Sequence, residues 1–483
     1  MGSGQVTSSV SSEHAGAPAF QGKHVTVAGL GVSGVPAARV LHGLGATVTV
    51  VNDGDDERAR AQAAELEALG ITVRLGDGDT LPEGTELIVT APGWRPDKPL
   101  FAAAEEAGVP VWGDVELAWR LRGPDAAPWL AVTGTNGKTT TVQMLASILK
   151  AAGLRTAAVG NIGVSLLDAV LGEEHYDVLA VELSSYQLHW APSLRAHSAA
   201  VLNLAPDHLD WHGSMEAYAK DKGRIYEGNR VACVYNVADR ATEDLVREAD
   251  VEEGCRAVGF TLGTPAPSQL GVVEGILVDR AFVENRHKNA QELAEISDVN
   301  PPAPHNIANA LAAAALARAF GVPARAVRDG LRDFRPDAHR IAHVADVDGV
   351  AYVDDSKATN THAAEASLAA YDSIVWIAGG LAKGATFDEL VARSAKRLRG
   401  VVLIGADRAL IREALVRHAP EVPVVDLDRT DTGAMLQAVQ EARRLARPGD
   451  TVLLAPACAS MDMFANYNQR GDAFAQAVRE LGA

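Results

Sequence analysis

From Phe20 onward, short apolar runs alternate with Ala- and Leu-rich stretches whose apolar positions recur at helical spacing. The runs at 24–28, 47–52 and 87–90 predict one group of strands. A second group is predicted at 129–133, 178–183, 200–204 and 231–235, and a third at 351–354, 374–378, 401–404 and 451–455. Val142, Leu145, Ile148 and Leu149 share one face of a predicted helix after the run at 129–133. Strands regularly interleaved with helices predict an α/β architecture with mainly parallel sheets. The grouping suggests three blocks, at 20–113, 114–336 and 337–483. The Pro-rich stretch 300–304 is expected to be a loop inside the second block, with helix resuming at Ile307.

Composition narrows the class. A chain of 483 residues suggests two to four domains. At 47% hydrophobic and 22% charged it can fill several cores, which excludes wholesale disorder and fibrous classes. The net charge of −18 argues against nonspecific binding to nucleic acid or anionic membrane, yet leaves room for a nucleotide held by backbone N–H groups and one lysine. Three cysteines, Cys233, Cys255 and Cys458, form no CxxC pair and no disulfide framework, so a reducing cytoplasm is expected. No apolar run approaches the ~18 residues of a membrane span. Residues 1–19, rich in Ser, Gly and Ala without a basic start, are expected to form a disordered tail rather than a signal peptide.

Two glycine clusters carry the chemistry. Gly29-Leu30-Gly31-Val32-Ser33-Gly34 matches GxGxxG between a strand and a helix, with Asp53 at the end of the next strand. Such a corner admits a diphosphate, and the acid takes a ribose hydroxyl; alternatively it is only a strand–turn–helix corner. Thr133-Gly134-Thr135-Asn136-Gly137-Lys138-Thr139-Thr140 is more specific. Its turn and helix N-terminus can cradle phosphates, Lys138 can neutralise the β/γ charge, and Thr139 can ligate magnesium. Val132 stands where GxxxxGK[ST] has its first glycine. Together the clusters suggest an ATP-driven enzyme whose other substrate carries a nucleotide handle.

The second cluster resembles the ATP loop of the Mur ligases and folylpolyglutamate synthetases, which form amide bonds through acyl phosphates. Gly160-Asn161-Ile162-Gly163, Glu182-Leu183-Ser184-Ser185-Tyr186-Gln187-Leu188, Asp207-His208-Leu209-Asp210 and His305-Asn306 followed by Asn309 agree in order with that family. Asp354-Asp355-Ser356-Lys357-Ala358-Thr359-Asn360 and Pro456-Ala457-Cys458-Ala459-Ser460-Met461-Asp462 are similar to the branch that joins D-glutamate to UDP-N-acetylmuramoyl-L-alanine. The resemblance implies three domains: an N-terminal Rossmann-like one for the UDP handle, a central P-loop ATP-binding α/β one, and a C-terminal Rossmann-like α/β one for the amino acid. It implies an enzyme of cytoplasmic peptidoglycan precursor synthesis with small-molecule substrates; nothing in the sequence demands more than a monomer, and no nucleic-acid partner or membrane insertion is expected.

The family's roles carry over residue by residue. The loop Gly134, Thr135, Asn136, Gly137, Lys138, Thr139 and Thr140 would hold ATP, with Asn309 on adenine, Arg340 reaching ATP from the third domain and Asp355 on the ribose. Two magnesium ions are implied: Thr139 and Glu182 on the first, His208 on the second, with Lys222 contributing as a CO₂-derived carbamate. Lys138, Glu182, His208 and Lys222 form the expected catalytic set. Val32, Ser33, Asp53, Asn161, Ser184 and His208 would contact the UDP substrate. D-glutamate has two carboxylates and wants at least two cations; Lys357, Thr359, Lys383, Ser460, Met461 and Tyr467 fall where the family holds it.

Two positions depart from the family. Ala91-Pro92-Gly93 stands where Ser-Pro-Gly is common, and Gly54-Asp55 replaces a pattern that can include an arginine beside uracil. Both concern the handle rather than the reaction. Three alternatives stay open at this level: a family member adding another amino acid, an NAD-dependent oxidoreductase using the first glycine cluster, and a nucleotide-gated binding module with no chemistry.

Overall fold

The computed structural model describes residues 20–336, 339–429 and 431–481; the tail expected over 1–19 lies outside the described residues. The chain divides into two compact units. One runs to Asp298 and resumes over Ala308–Asp333; the other comprises Val299–Ile307 and the chain from Phe334 on.

The first unit contains two sheets. Five parallel strands order as Thr72–Leu75, Thr47–Asn52, His24–Ala28, Leu87–Thr90 and Val111–Gly113. The order reverses beside His24–Ala28, and ligands of such sheets bind at the carboxyl ends of strands flanking that point. The GxGxxG turn lies there. Gly34 is obligatory, because a Cβ would sit 1.9 Å from the Gly29 carbonyl oxygen. The second sheet has nine strands. Ala158–Gly160, Leu179–Glu182, Trp129–Thr133, Ser198–Val201, Ala232–Asn236, Arg256–Phe260 and Gln269–Val273 run parallel; Ile276–Asp279 and Gln291–Glu295 follow antiparallel. Trp129–Thr133 lies between Leu179–Glu182 and Ser198–Val201, so the loops after all three open side by side.

In the second unit the antiparallel strand Ala342–Val347 is followed by five parallel strands, Val350–Asp354, Thr451–Leu454, Ile374–Gly379, Leu398–Ile404 and Val424–Asp426. The three whose carboxyl ends carry Lys357, Ser460 and Lys383 are immediate neighbours.

Continuous apolar runs explain the cores. Trp129, Leu130, Ala131 and Val132, and Val375, Trp376, Ile377 and Ala378, are essentially inaccessible to solvent. Burying each larger side chain contributes about 1.5–3 kcal/mol. Val142, Leu145, Ile148 and Leu149 are all buried on the predicted helix, Lys138–Ala151.

Some expectations need correction. The strand placed at 200–204 is Ser198–Val201, because the Asn203 carbonyl and the Ala205 amide bond Thr135 of the phosphate loop instead of a neighbouring strand. The loop expected over 300–304 ends earlier: the helix begins at Pro304 rather than Ile307. The charged stretch 284–299 contains the strand Gln291–Glu295, at one edge of the nine-stranded sheet. Among the described residues no helix is long and apolar enough to cross a membrane.

Candidate active site

The loop 134–137 leads into the helix Lys138–Ala151, whose N-terminus has no side-chain cap. Its first backbone N–H groups therefore lack intrahelical partners and suit an anion. Gly137 takes φ 82°, and a Cβ there would lie 2.4 Å from Asn309 Oδ1. The loop is thus moulded against the residue expected at adenine. Asn203 clasps the loop from the next strand: Asn136 N donates to its Oδ1 at 2.8 Å, and its Nδ2 donates to the Asn136 carbonyl at 3.0 Å. Thr135 Oγ1 accepts from Ala205 N and pairs with the Tyr218 hydroxyl at 3.0 Å.

Lys138 Nζ donates to the carbonyls of Gly134 and Thr135, both at 2.9 Å. Lys222, only 2% exposed, donates to the same Gly134 carbonyl at 2.9 Å. Burial, then the charge of Lys138, drives the Lys222 amine well below its ordinary pKa. Glu182 ends the neighbouring strand and is 2% exposed rather than solvated. Asn161 Nδ2 donates to its Oε1 at 3.0 Å, while Oε2 is buried without a hydrogen-bond partner. Gly160 makes this possible, since a Cβ would come within 2.2 Å of the Glu182 carbonyl oxygen.

His208 sits at φ 54° before the short helix Leu209–His212, with its ring 4.8 Å from that of Tyr186. Burial lowers its pKa against the pull of Asp207, and Lys138 and Lys222 add to the lowering. Lys138, Glu182, His208 and Lys222 are therefore electrostatic neighbours around one loop. The unpartnered oxygen of buried Glu182 suits a hard cation, whose remaining ligands would be phosphate and water. Among the described residues no three His, Cys, Asp or Glu side chains form a metal cluster.

Asp221 organises this region. His189 Nδ1 and His212 Nδ1 donate to its Oδ2 at 2.9 and 3.0 Å, and His212 Nε2 lies 2.9 Å from Ser185 Oγ. Burial opposes the Asp221 charge, but the two histidines outweigh it and hold its pKa at about 2. The carboxylate thus ties the helix bearing Lys222 to the segments after Glu182 and His208.

A cavity of about 380 Å³ lies between the two sheets of this unit. Val32, Ser33 and Asn161 line it, as do Asp114 and Gln187. Asp53, Ser184 and His208 do not. Asp53 accepts from Lys98 at 2.9 Å, and Lys98 also pairs with Asp79. Ser184 caps the helix Ser185–His189 in a capping box with Gln187. Asn203, Asp114, Asp221 and Lys98 were not singled out from the sequence. Only Asp221 carried a signal, its place beside Lys222.

In the second unit Lys357 Nζ lies 3.8 Å from the Tyr467 ring centroid, and Thr359 N donates to the Lys357 carbonyl. Leu381 and Ala459 exchange both backbone hydrogen bonds at 2.9 Å, joining the loop of Lys383 to that of Ser460 and Met461. Ser460 is buried, whereas Lys383 and Met461 are exposed. Asp355 is buried: Ser367 Oγ donates to Oδ2 and Ile341 N donates to Oδ1. Burial pushes its carboxyl up to about 6, against the Ser367 hydrogen bond and the nearby charge of Arg340.

Residues 132–317 match the Mur ligase middle domain, and residues 339–458 match the Mur ligase, glutamate ligase domain. The chain is 91% identical over 467 residues to a protein of Streptomyces coelicolor named UDP-N-acetylmuramoylalanine--D-glutamate ligase, covering 96% of this chain and 99% of that one. A protein of that name from Thermobifida fusca is 60% identical, with the same coverage. Among solved structures, UDP-N-acetylmuramate-alanine ligase MurC from Thermotoga maritima superposes with TM-score 0.55 at 18% identity, over 95% of this chain and 99% of that one. MurF from Acinetobacter baumannii gives 0.57 at 16%, over 89% and 90%. These two speak for the fold alone.

Proposed function

The chain belongs to the Mur ligase family, and on that premise we propose that it joins D-glutamate to UDP-N-acetylmuramoyl-L-alanine, using ATP and releasing ADP and phosphate. Its working parts are residues 20–113 for the UDP handle, 114–336 for ATP and 337–483 for the amino acid. The observation that carries this reading is the meeting of Lys138 and buried Lys222 at one carbonyl of the phosphate loop, with Glu182 and His208 as their electrostatic neighbours.

A carboxylate resists attack by an amine. Transfer of the γ-phosphoryl group to the alanyl carboxylate yields an acyl phosphate and ADP; the D-glutamate amine then displaces phosphate, forms the amide and loses a proton. The protein must hold two anions together, so positioning and charge stabilisation dominate. Lys138 leaves its loop carbonyls to meet the phosphates. Thr139, Glu182 and His208 would hold magnesium, which supplies charge neutralisation between phosphate and carboxylate. The depressed Lys222 amine is neutral enough to attack CO₂, giving a carbamate and a proton, and so becomes an anionic oxygen ligand. Val32, Ser33 and Asn161 receive the handle; Lys357, Lys383, Thr359 and Ser460 receive the two glutamate carboxylates, with Met461 and Tyr467 beside them. Asn309, Arg340 and Asp355 serve the adenosine.

The test is phosphate release from ATP with magnesium and UDP-N-acetylmuramoyl-L-alanine, with D-glutamate, L-glutamate, L-alanine, L-lysine and meso-diaminopimelate offered separately. Release with D-glutamate alone, and a ligated product of matching mass, is expected. Release with another amino acid would overturn the third-domain assignment, and no release with any would overturn the ligase reading.

A further inference from the structure

Asp114 opens the helix Asp114–Leu121, directly after the last strand of the first sheet. Its Oδ2 accepts from Ser33 Oγ at 3.1 Å and from Gln187 Nε2 at 3.4 Å. It therefore ties the glycine corner of the first sheet to the helix that follows Glu182 in the second. Its Oδ1 is buried without a hydrogen-bond partner. A carboxylate with donors on one oxygen and none on the other lacks a partner that burial makes costly to omit. Burial pushes the carboxyl above its ordinary range despite Ser33, Gln187 and the backbone N–H groups of Asp114 and Val115.

Among the described residues the cavity beside it has no Lys, Arg or His in its lining, and Asp114 is its one ionisable residue; the other polar side chains are Ser33, Asn161, Ser165 and Gln187. A diphosphate wants cations or a cluster of N–H donors. A neutral sugar bearing hydroxyl and amide groups suits this lining better. We propose that Asp114 is a specificity residue for the N-acetylated sugar of the substrate, its Oδ2 positioning Ser33 and Gln187 and its Oδ1 accepting a hydrogen bond from the sugar's acetamido N–H. This rests on the UDP-sugar reading of the preceding subsection and deepens it.

Calorimetric titration of the full chain and its Asp114→Asn variant with UDP, UDP-glucose and UDP-N-acetylmuramoyl-L-alanine tests it. The variant is expected to lose about tenfold in affinity for the acetamido ligand, as for one charged hydrogen bond, and to bind UDP and UDP-glucose within about twofold of the unaltered protein. In turnover the KM for the UDP substrate rises about tenfold while kcat and the KM values for ATP and D-glutamate hold. Equal losses for all three ligands would assign Asp114 to the nucleotide and overturn the proposal; so would unchanged binding of all three. If the unaltered protein binds none of them, the UDP-sugar reading itself fails. Melting curves of Asp114→Asn and Asp114→Ala separate a fold defect, because a folded Asn variant with unselective loss counts against the proposal.

Discussion

In the first unit the Lys222 amine is 2% exposed, and Lys138 shares its carbonyl acceptor. In the second unit the Asp355 carboxyl is 7% exposed, and its company is a hydroxyl donor, a backbone N–H and the charge of Arg340. Burial drives both groups toward their neutral forms. For Lys222 the charge of Lys138 deepens the effect more than any of Asp207, Glu182 and Asp221 opposes it. For Asp355 the Ser367 hydroxyl, Arg340 and the Ile341 N–H oppose it ahead of the like charge of Asp354. A buried group set beside a like charge carries an electrostatic cost that a ligand of opposite sign relieves.

The largest effect that can break the contrast is at Lys138. Lys138→Ala is expected to lower the rate of phosphate release by about 10³-fold, the scale for removing a charge that stabilises a transferring phosphoryl group. It should also raise the Lys222 pKa, since one neighbouring cation is gone. A rate within tenfold of the unaltered enzyme would remove Lys138 from the chemistry. Lys222→Ala comes next, with a loss of about 10²-fold that short-chain carboxylic acids partly restore by supplying the missing anionic oxygens. Rescue by added amines instead would mean that the ammonium, not an acid derived from it, does the work.

Lys138 stands in a motif that the sequence exhibits, and the strands at 24–28, 47–52, 87–90 and 129–133 coincide with the structure because each is a short run rich in Val, Ile, Leu and Thr. Boundaries slipped where backbone groups leave the ladder, as at 203–205, where the Asn203 carbonyl and the Ala205 amide bond Thr135 of the phosphate loop and the Leu204 amide bonds Asp239. Asp114 and Asn203 were invisible for a different reason. Their partners lie 81, 73 and 67 residues away, and a lone polar residue after a strand has no pattern of its own. His208 was legible by motif, but not its left-handed backbone. Asp355 was expected at the ribose by resemblance, and only packing reveals that Ser367 and Ile341 bond its oxygens.

Asp355 sharpens the comparison from the other side. Its pKa rises from 3.8 to about 6 on folding. The native state then holds the proton more tightly than the unfolded chain, so stability is fully present below pH 3.8, falls as pH rises and is lost by about pH 6. At 1.36 kcal/mol per unit the loss is at most about 3 kcal/mol. Asp355→Asn carries no such loss. Urea midpoints at pH 5 and pH 8 should therefore show the variant gaining on the unaltered protein at the higher pH. A difference independent of pH would mean that Asp355 stays ionised in the native state and that its neighbours outweigh burial.

The smallest effect concerns an exposed cation, Lys383. It adopts φ 50° in the loop that pairs with Ala459, a left-handed conformation that costs a side-chain-bearing residue roughly 1 kcal/mol relative to glycine. Its amine is exposed, unlike Lys222, so nothing in the fold needs its charge. A strained residue kept for a ligand predicts opposite signs in two measurements. Lys383→Gly should leave the melting temperature unchanged or slightly raised, since strain relief offsets the added freedom of the unfolded chain. The same change should raise the KM for D-glutamate about tenfold, the worth of one charged contact to a carboxylate, with the KM for ATP unaltered. Lys383→Met, which keeps the strain and removes only the charge, should match the KM change without the stability gain. If both variants lose stability and neither moves the D-glutamate KM, the loop is structural and the cations of that pocket lie elsewhere.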